Sequence, residues 1–231
     1  MLESREYAQH TVPRSRRYEL IVFDWDGTLL DSAAVIVASV QAASRDLGLE
    51  VPSDQSTRHI IGLGLEDAMG YLFPHLDRSG YRNVADRYRH HFLAIGREIP
   101  LFDGARELVA ELFDAGFRLA VATGKGRRGL ERDLDSTGLR RFFHATRCAD
   151  ETLSKPHPEM LLEIIAELGA VAGGTLMIGD TTHDLEMARN AGVSGVAVAY
   201  GAHPRANLLA AVPVACVDNI AGLRAWITAN A

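Results

Sequence analysis

Residues 20–31 read Leu-Ile-Val-Phe-Asp-Trp-Asp-Gly-Thr-Leu-Leu-Asp, an apolar run that breaks into two aspartates one residue apart and then a glycine. The apolar part predicts a strand buried on both faces, which delivers carboxylates at its C-terminal end. Side chains alternate along a strand, so Asp24 and Asp26 would share a face if it continued. Gly27 instead turns the chain and can bring both carboxylates around one small volume. Two like charges that close require a cation. The same residues would also serve a plain strand-to-helix loop, with Asp26-Gly27 as its turn and Thr28 or Asp31 as a helix cap.

Three further stretches weigh against that plainer role. Val121-Ala122-Thr123-Gly124-Lys125, Ser154-Lys155-Pro156 and Gly179-Asp180-Thr181-Thr182-His183-Asp184 follow in order, each after or beside an apolar strand pattern. With Asp24-Trp25-Asp26-Gly27-Thr28 they resemble the haloacid dehalogenase superfamily of phosphohydrolases, and more closely its phosphoglycolate phosphatase-like branch. The resemblance covers roughly residues 18–229. It implies a Rossmann-like core, a helical cap inserted after the first motif, and hydrolysis of a small phosphate monoester with Mg²⁺.

The pattern of elements agrees with such a plan. Between residues 32 and 100 the sequence shows helical stretches (33–47, 56–61, 65–73 and 80 to about 97) and no strand alternation. Pro100 to Gly104 mark a return, after which strands at 118–122, 145–147, 175–178, 195–199 and 214–217 alternate with helices. Repeated βα units make an α/β fold with a doubly wound parallel sheet, whose ligands sit beyond the C-terminal strand ends. The expected division is a flexible lead-in at 1–17, a core of 18–31 and 101–231, and an all-helical cap of 32–100.

Composition narrows the class. The chain has 231 residues, a net charge of −6 and 47% hydrophobic residues. The acidic balance argues against nucleic acid, which is held by clustered Lys and Arg. Cys148 and Cys216 are far apart and in no metal-ligand spacing, as expected of reduced thiols in a cytoplasmic protein. No apolar run approaches the ~20 residues of a membrane span, and residues 1–17 lack the apolar stretch of a secretory signal. A monomer or homodimer acting on a small phosphorylated metabolite is expected.

By resemblance, Asp24 is the nucleophile and Asp26 the acid that protonates the leaving alkoxide and later activates water. Dehalogenases of the superfamily lack that second aspartate, so its presence votes against dehalogenation. The family pattern puts Mg²⁺ between the Asp24 carboxylate, the Asp26 backbone carbonyl and Asp180, with the part of Asp184 left open. Four residues separate Asp180 from Asp184, which would place both on one face at a helix start, where Thr181 and Thr182 are also good caps.

The four carboxylates outweigh Mg²⁺ and one cation, which makes Lys155 necessary to the balance. Thr123 and Gly124 follow a strand and precede a helix, so a hydroxyl and a backbone N–H can hold phosphoryl oxygens. Gly124-Lys125-Gly126 lacks the spacing of a phosphate-binding loop of the ATP-binding kind. Thr28 is expected to bond near Asp26 or the phosphate. Arg58 and His59 occupy cap positions that in related enzymes face the site, and Arg127 and Arg128 are read chiefly as a solvated face. The nine histidines share no spacing with Cys or Asp that would make a zinc site, and are read mainly as surface residues.

Two alternatives remain. Related sugar-phosphate mutases place a basic residue just after the glycine at 62, where this chain has Leu63, Gly64 and Leu65. A binding protein without chemistry would have little need of Asp26.

Overall fold

A computed structural model describes residues 16–95 and 99–231. Most of the expected lead-in and the end of the helix expected to reach residue 97 lie outside them. Six parallel strands form one sheet: β1 (Leu20–Phe23), β2 (Arg118–Thr123), β3 (Ala145–Cys148), β4 (Thr175–Gly179), β5 (Ser194–Val198) and β6 (Ala215–Val217). Their order across the sheet is β3-β2-β1-β4-β5-β6. The first strand is thus central, and the chain winds outward from it in both directions. Element boundaries fall within a few residues of the expected ones.

The strands are apolar throughout because both faces are covered. Ile21, Phe23, Leu119, Val121, Leu176 and Ile178 pack into one core layer with α5 (Ala105–Asp114), α6 (Arg127–Thr137) and α10 (Ile220–Asn230). Their neighbours Leu20, Val22, Ala120, Ala122 and Met177 point the other way, to α7 (Glu159–Glu167) and α8 (Thr182–Asn190). This two-sided burial is what turns alternation into a continuous apolar run. A short helix, α9 (Arg205–Ala210), follows β5. The sequence reading assigned nothing there, since six residues carry too little periodicity to register.

Between β1 and β2 the chain forms α1 (Ala33–Asp46), α2 (Asp54–His59), α3 (Leu65–Leu72) and α4 (Arg78–Ile95). They enclose their own small core around Ile60, Met69, Phe73 and Val84. A second cluster, of Ile36, Val40, Ile61 and Phe92, includes Ala202 from the β5–α9 loop and so joins this block to the sheet's C-terminal edge. Among the described residues no helix is long and apolar enough to cross a membrane.

Candidate active site

The central position of β1, flanked by β2 and β4, brings three of the sequence motifs to neighbouring strand ends, and the fourth, in the loop after β3, reaches in beside them. Asp24 leaves β1 with its N–H still bonded to the Ile178 carbonyl of β4, at 2.9 Å. It is fully buried. Lys155 Nζ reaches its Oδ1 at 2.7 Å and Asp184 Oδ1 at 2.6 Å, so a buried ammonium bridges two carboxylates 160 residues apart in sequence. Burial opposes the lysine's charge, but Asp184 and Asp24 more than offset this and raise its pKa.

Asp180 is held from two sides: Thr28 Oγ1 donates to Oδ1 at 2.8 Å and the Ala202 N–H donates to Oδ2 at 2.6 Å. Thr28 therefore orients Asp180 and does not contact Asp26. Gly27, at φ +84°, lies so close that a Cβ there would fall 2.2 Å from Asp180 Oδ2. Only glycine fits both the turn and the approach. Asp180 precedes the N-cap of α8, so it does not share a helix face with Asp184 as the four-residue spacing had implied. Thr181 is the cap, in a capping box with Asp184: its N–H and Oγ1 both donate to Asp184 Oδ2, at 3.1 and 2.7 Å. One aspartate thus closes the helix end and holds Lys155.

The trio of Asp24, Asp180 and Asp184 can hold a divalent metal. Their ligand oxygens lie within 4.8 Å of one another. Against Lys155 they leave two negative charges in a buried volume, the charge one divalent cation offsets. Asp24 Oδ2 is buried with no hydrogen-bond partner among the described residues, an arrangement that costs stability unless something supplies one. Burial pushes the Asp24 carboxyl up to about 7, with Lys155 pulling down and Asp184 pushing up. Burial, then Asp24 and Asp184, raises Asp180 well above the usual carboxylate range. Hard oxygen donors that repel one another are a fit for a small hard cation.

Asp26 stands apart from that trio. Its Oδ1 accepts from Ser32 Oγ at 2.7 Å and pairs with Lys125 Nζ at 3.1 Å. Neither partner was singled out in the sequence. Ser32 sits at the N-cap of α1, but its hydroxyl makes no cap bond and turns to Asp26 instead. Lys125 was legible only as the charge missing from a count of four carboxylates against Mg²⁺ and one lysine. Thr123 ends β2 beside these groups and Gly124 follows it, its N–H donating to nothing among the described residues. Arg127 proves to be a framework residue, paired with Glu151 at 2.6 Å and Glu131 at 3.1 Å.

The helical block is seated on this edge. Gly64 N–H donates to Ser154 Oγ at 2.7 Å, and Gly62 and Leu63 lie against Gly124. His59 does not line the carboxylate trio; its ring stacks on His203 at 5.5 Å and meets His183 at 5.2 Å. The surface reading is therefore wrong for His183 and His203, both buried. Their Nε2 atoms lie 2.7 and 3.2 Å from the His59 carbonyl, while His203 Nδ1 accepts the Thr182 N–H at 3.1 Å. Burial lowers the pKa of all three rings. Residues this distant in sequence offer no spacing to read. The Arg58 guanidinium makes no ion pair among the described residues.

A buried carboxylate, a lysine and a trio of aspartates able to hold a metal, at the C-terminal edge of a parallel sheet, suit a hydrolase acting on phosphoryl groups. The chain belongs to the haloacid dehalogenase-like hydrolase family, which matches residues 21–198. It is 38% identical to the probable phosphatase IndB of Dickeya dadantii, over 86% of this chain and 89% of that one. Identity to the N-acetylmuramic acid 6-phosphate phosphatase of Pseudomonas aeruginosa is 33%, over 83% and 86%. A predicted phosphatase from Clostridium acetobutylicum superposes with a TM-score of 0.81 at 27% identity, covering 92% of this chain and 99% of that one. The protein is a phosphoric monoester hydrolase.

Proposed function

We propose that the protein releases phosphate from a small, soluble phosphate monoester through an aspartyl-phosphate on Asp24, with Mg²⁺ as its metal. The observation that carries this is Asp24 Oδ2, without a hydrogen-bond partner among the described residues, inside a buried set of three carboxylates matched by one lysine. Asp24, Asp180 and the Asp26 carbonyl would hold the metal; Asp184, with both oxygens engaged, serves it by fixing Lys155. When bound, Mg²⁺ neutralises phosphoryl charge and orients the group for attack.

The chain's own residues do the rest. Lys155 keeps Asp24 ionised and aimed. Asp24 attacks phosphorus and the ester oxygen leaves, taking a proton from Asp26. Asp26, now a base, draws a proton from the water that splits the acyl phosphate, and Asp24 and inorganic phosphate are regenerated. The Thr123 hydroxyl and Gly124 N–H face the phosphoryl oxygens, and the helical block, acting as a cap over 32–100, excludes bulk water. Residues of α2, including Arg58, border the space left for the alcohol portion.

The names of two relatives suggest the first esters to try: N-acetylmuramic acid 6-phosphate and, from a phosphoglycolate phosphatase of Agrobacterium fabrum 29% identical over 88% of this chain and 90% of that one, 2-phosphoglycolate. Phosphate release should require Mg²⁺ and vanish in Asp24→Asn while the protein stays folded. Release that survives Asp24→Asn would defeat the aspartyl-phosphate route. Conversion of a sugar phosphate to its isomer without phosphate release would point to a mutase.

A further inference from the structure

Lys125 holds a position that the proposed chemistry does not yet use. Its side chain is about 10% exposed and its ammonium sits between two carboxylates, Asp26 Oδ1 at 3.1 Å and Asp133 Oδ2 at 3.0 Å. Asp133 is itself fixed: Trp25 Nε1 donates to Oδ2 at 3.3 Å, and Arg132 pairs with Oδ1 at 2.9 Å. From the helical block, α4 lays the Phe92 ring 4.9 Å from the ammonium, with the Arg132 guanidinium 5.7 Å from the same ring. Arg132 and Lys125 balance Asp133 and Asp26, so the group is neutral as it stands and calls for no further anion.

What it does is immobilise Asp26. A carboxylate on one rotatable stem can present either oxygen in many orientations, yet proton transfer demands hydrogen-bond reach and alignment. Here Ser32 and Lys125 both engage Oδ1. Oδ2 makes no hydrogen bond among the described residues and is left for the proton. A lysine's four-carbon stem is a poor anchor by itself. Asp133 and the Phe92 face make it one, and Phe92 belongs to the element that must seat before the site is closed.

We propose that Lys125 is the positioning residue for Asp26, and that Phe92 makes this positioning depend on the seating of α4. The proposal rests on the reading of Asp26 as the acid for the leaving group. It separates from a merely structural ion pair because an acid matters most where the leaving group is poor. An alkyl phosphate needs its oxygen protonated; p-nitrophenolate leaves without help.

The test compares kcat/KM, which reports transfer of the phosphoryl group to the enzyme, for the full-length Mg²⁺-loaded protein on its best alkyl phosphate and on p-nitrophenyl phosphate. General acid catalysis contributes about 10²- to 10⁴-fold, so mispositioning in Lys125→Met should cost about 10- to 100-fold on the alkyl ester and roughly ten times less on the aryl ester. Lys125→Arg should recover most of the loss, and Phe92→Leu should show a weaker bias of the same direction. Equal losses on both esters, or none, while Asp26→Asn keeps its bias, would overturn the role of Lys125 alone. No bias in Asp26→Asn would overturn the reading of Asp26 and this proposal with it. Should Lys125→Met melt too low to assay, Phe92→Leu and Lys125→Arg carry the same comparison.

Discussion

Replacing Gly124 by alanine adds one methyl group at the point where the helical block meets the strand ends. A Cβ there would stand 2.4 Å from the Gly62 carbonyl oxygen and 2.7 Å from that of Leu63, where ordinary contact begins at 3.4 Å. The obstacle is backbone, so no rotamer relieves it, and the 62–64 loop must back away by about 1 Å. Leu63 N–H bonds the Ile60 carbonyl at 3.2 Å and so carries the end of α2 with the loop, and the shift then pulls apart three bonds: Gly64 N–H to Ser154 Oγ at 2.7 Å, and the His59 carbonyl to His183 and His203 at 2.7 and 3.2 Å.

At about 1 kcal/mol per bond the seated state loses about 2–3 kcal/mol. If catalysis needs that state, kcat/KM falls roughly 30- to 150-fold. Alanine keeps the backbone N–H, so anion binding at position 124 is not the thing removed. Ser154→Ala deletes one of the three bonds and should cost only about fivefold on the same scale. Phosphate release gives kcat/KM, and hydrogen exchange at Gly64 reports seating directly. Wild-type kcat/KM in Gly124→Ala, together with unchanged protection at Gly64, would refute the claim that the active form has this loop on Gly124.

Other outcomes follow from the charges. In metal-free protein the native Asp24 carboxyl titrates near 7 and the unfolded one near 3.8. Between those values the native state binds more protons, so this site's contribution to stability is present at low pH and is lost as pH rises toward 7. Asp180 shifts in the same direction. Buried His183 and His203 and half-buried His59, all shifted downward, act with the opposite sign below 6.5. The clean observable is therefore a difference: the melting temperature of Asp180→Asn relative to wild type should climb as pH goes from 4.5 to 7.5, and Mg²⁺ should raise wild type only. A flat difference, or a Mg²⁺ shift that persists in the variant, would contradict the metal trio. Lys155→Met leaves Asp24 and Asp184 buried without their cation and should cost about 3–5 kcal/mol in urea melts of metal-free protein at pH 7.5. A loss below about 1 kcal/mol would mean that Lys155 does not hold those charges together.

Much of the site was readable because its residues cluster in short motifs at strand ends. Asp24, Asp26, Thr123, Asp180 and Asp184 each follow an apolar run or a helix-start pattern, and those patterns are local; Lys155 was picked out by its Ser-Lys-Pro context and the order of the family's motifs. Thr28 was read as a partner of Asp26 or phosphate; it bonds Asp180, which lies 152 residues on. Its real partner was not visible because β4 comes beside β1 only when the sheet forms. Ser32, which the sequence reading did not single out, donates to Asp26 because the Gly27 turn swings that carboxylate back over the start of α1.

Local sequence determined the alternation of strands and helices, the helical insertion and the carboxylates at the strand ends, since each depends on periodicity or turn chemistry within a few residues. The tertiary structure alone decided which charges are paired. It matched Lys155 to Asp24 and Asp184 and Lys125 to Asp26 and Asp133, and it gathered His59, His183 and His203 beside one another. Coulomb and hydrogen-bond partners are set by distance and burial, and neither quantity exists until the sheet has placed β1 between β2 and β4.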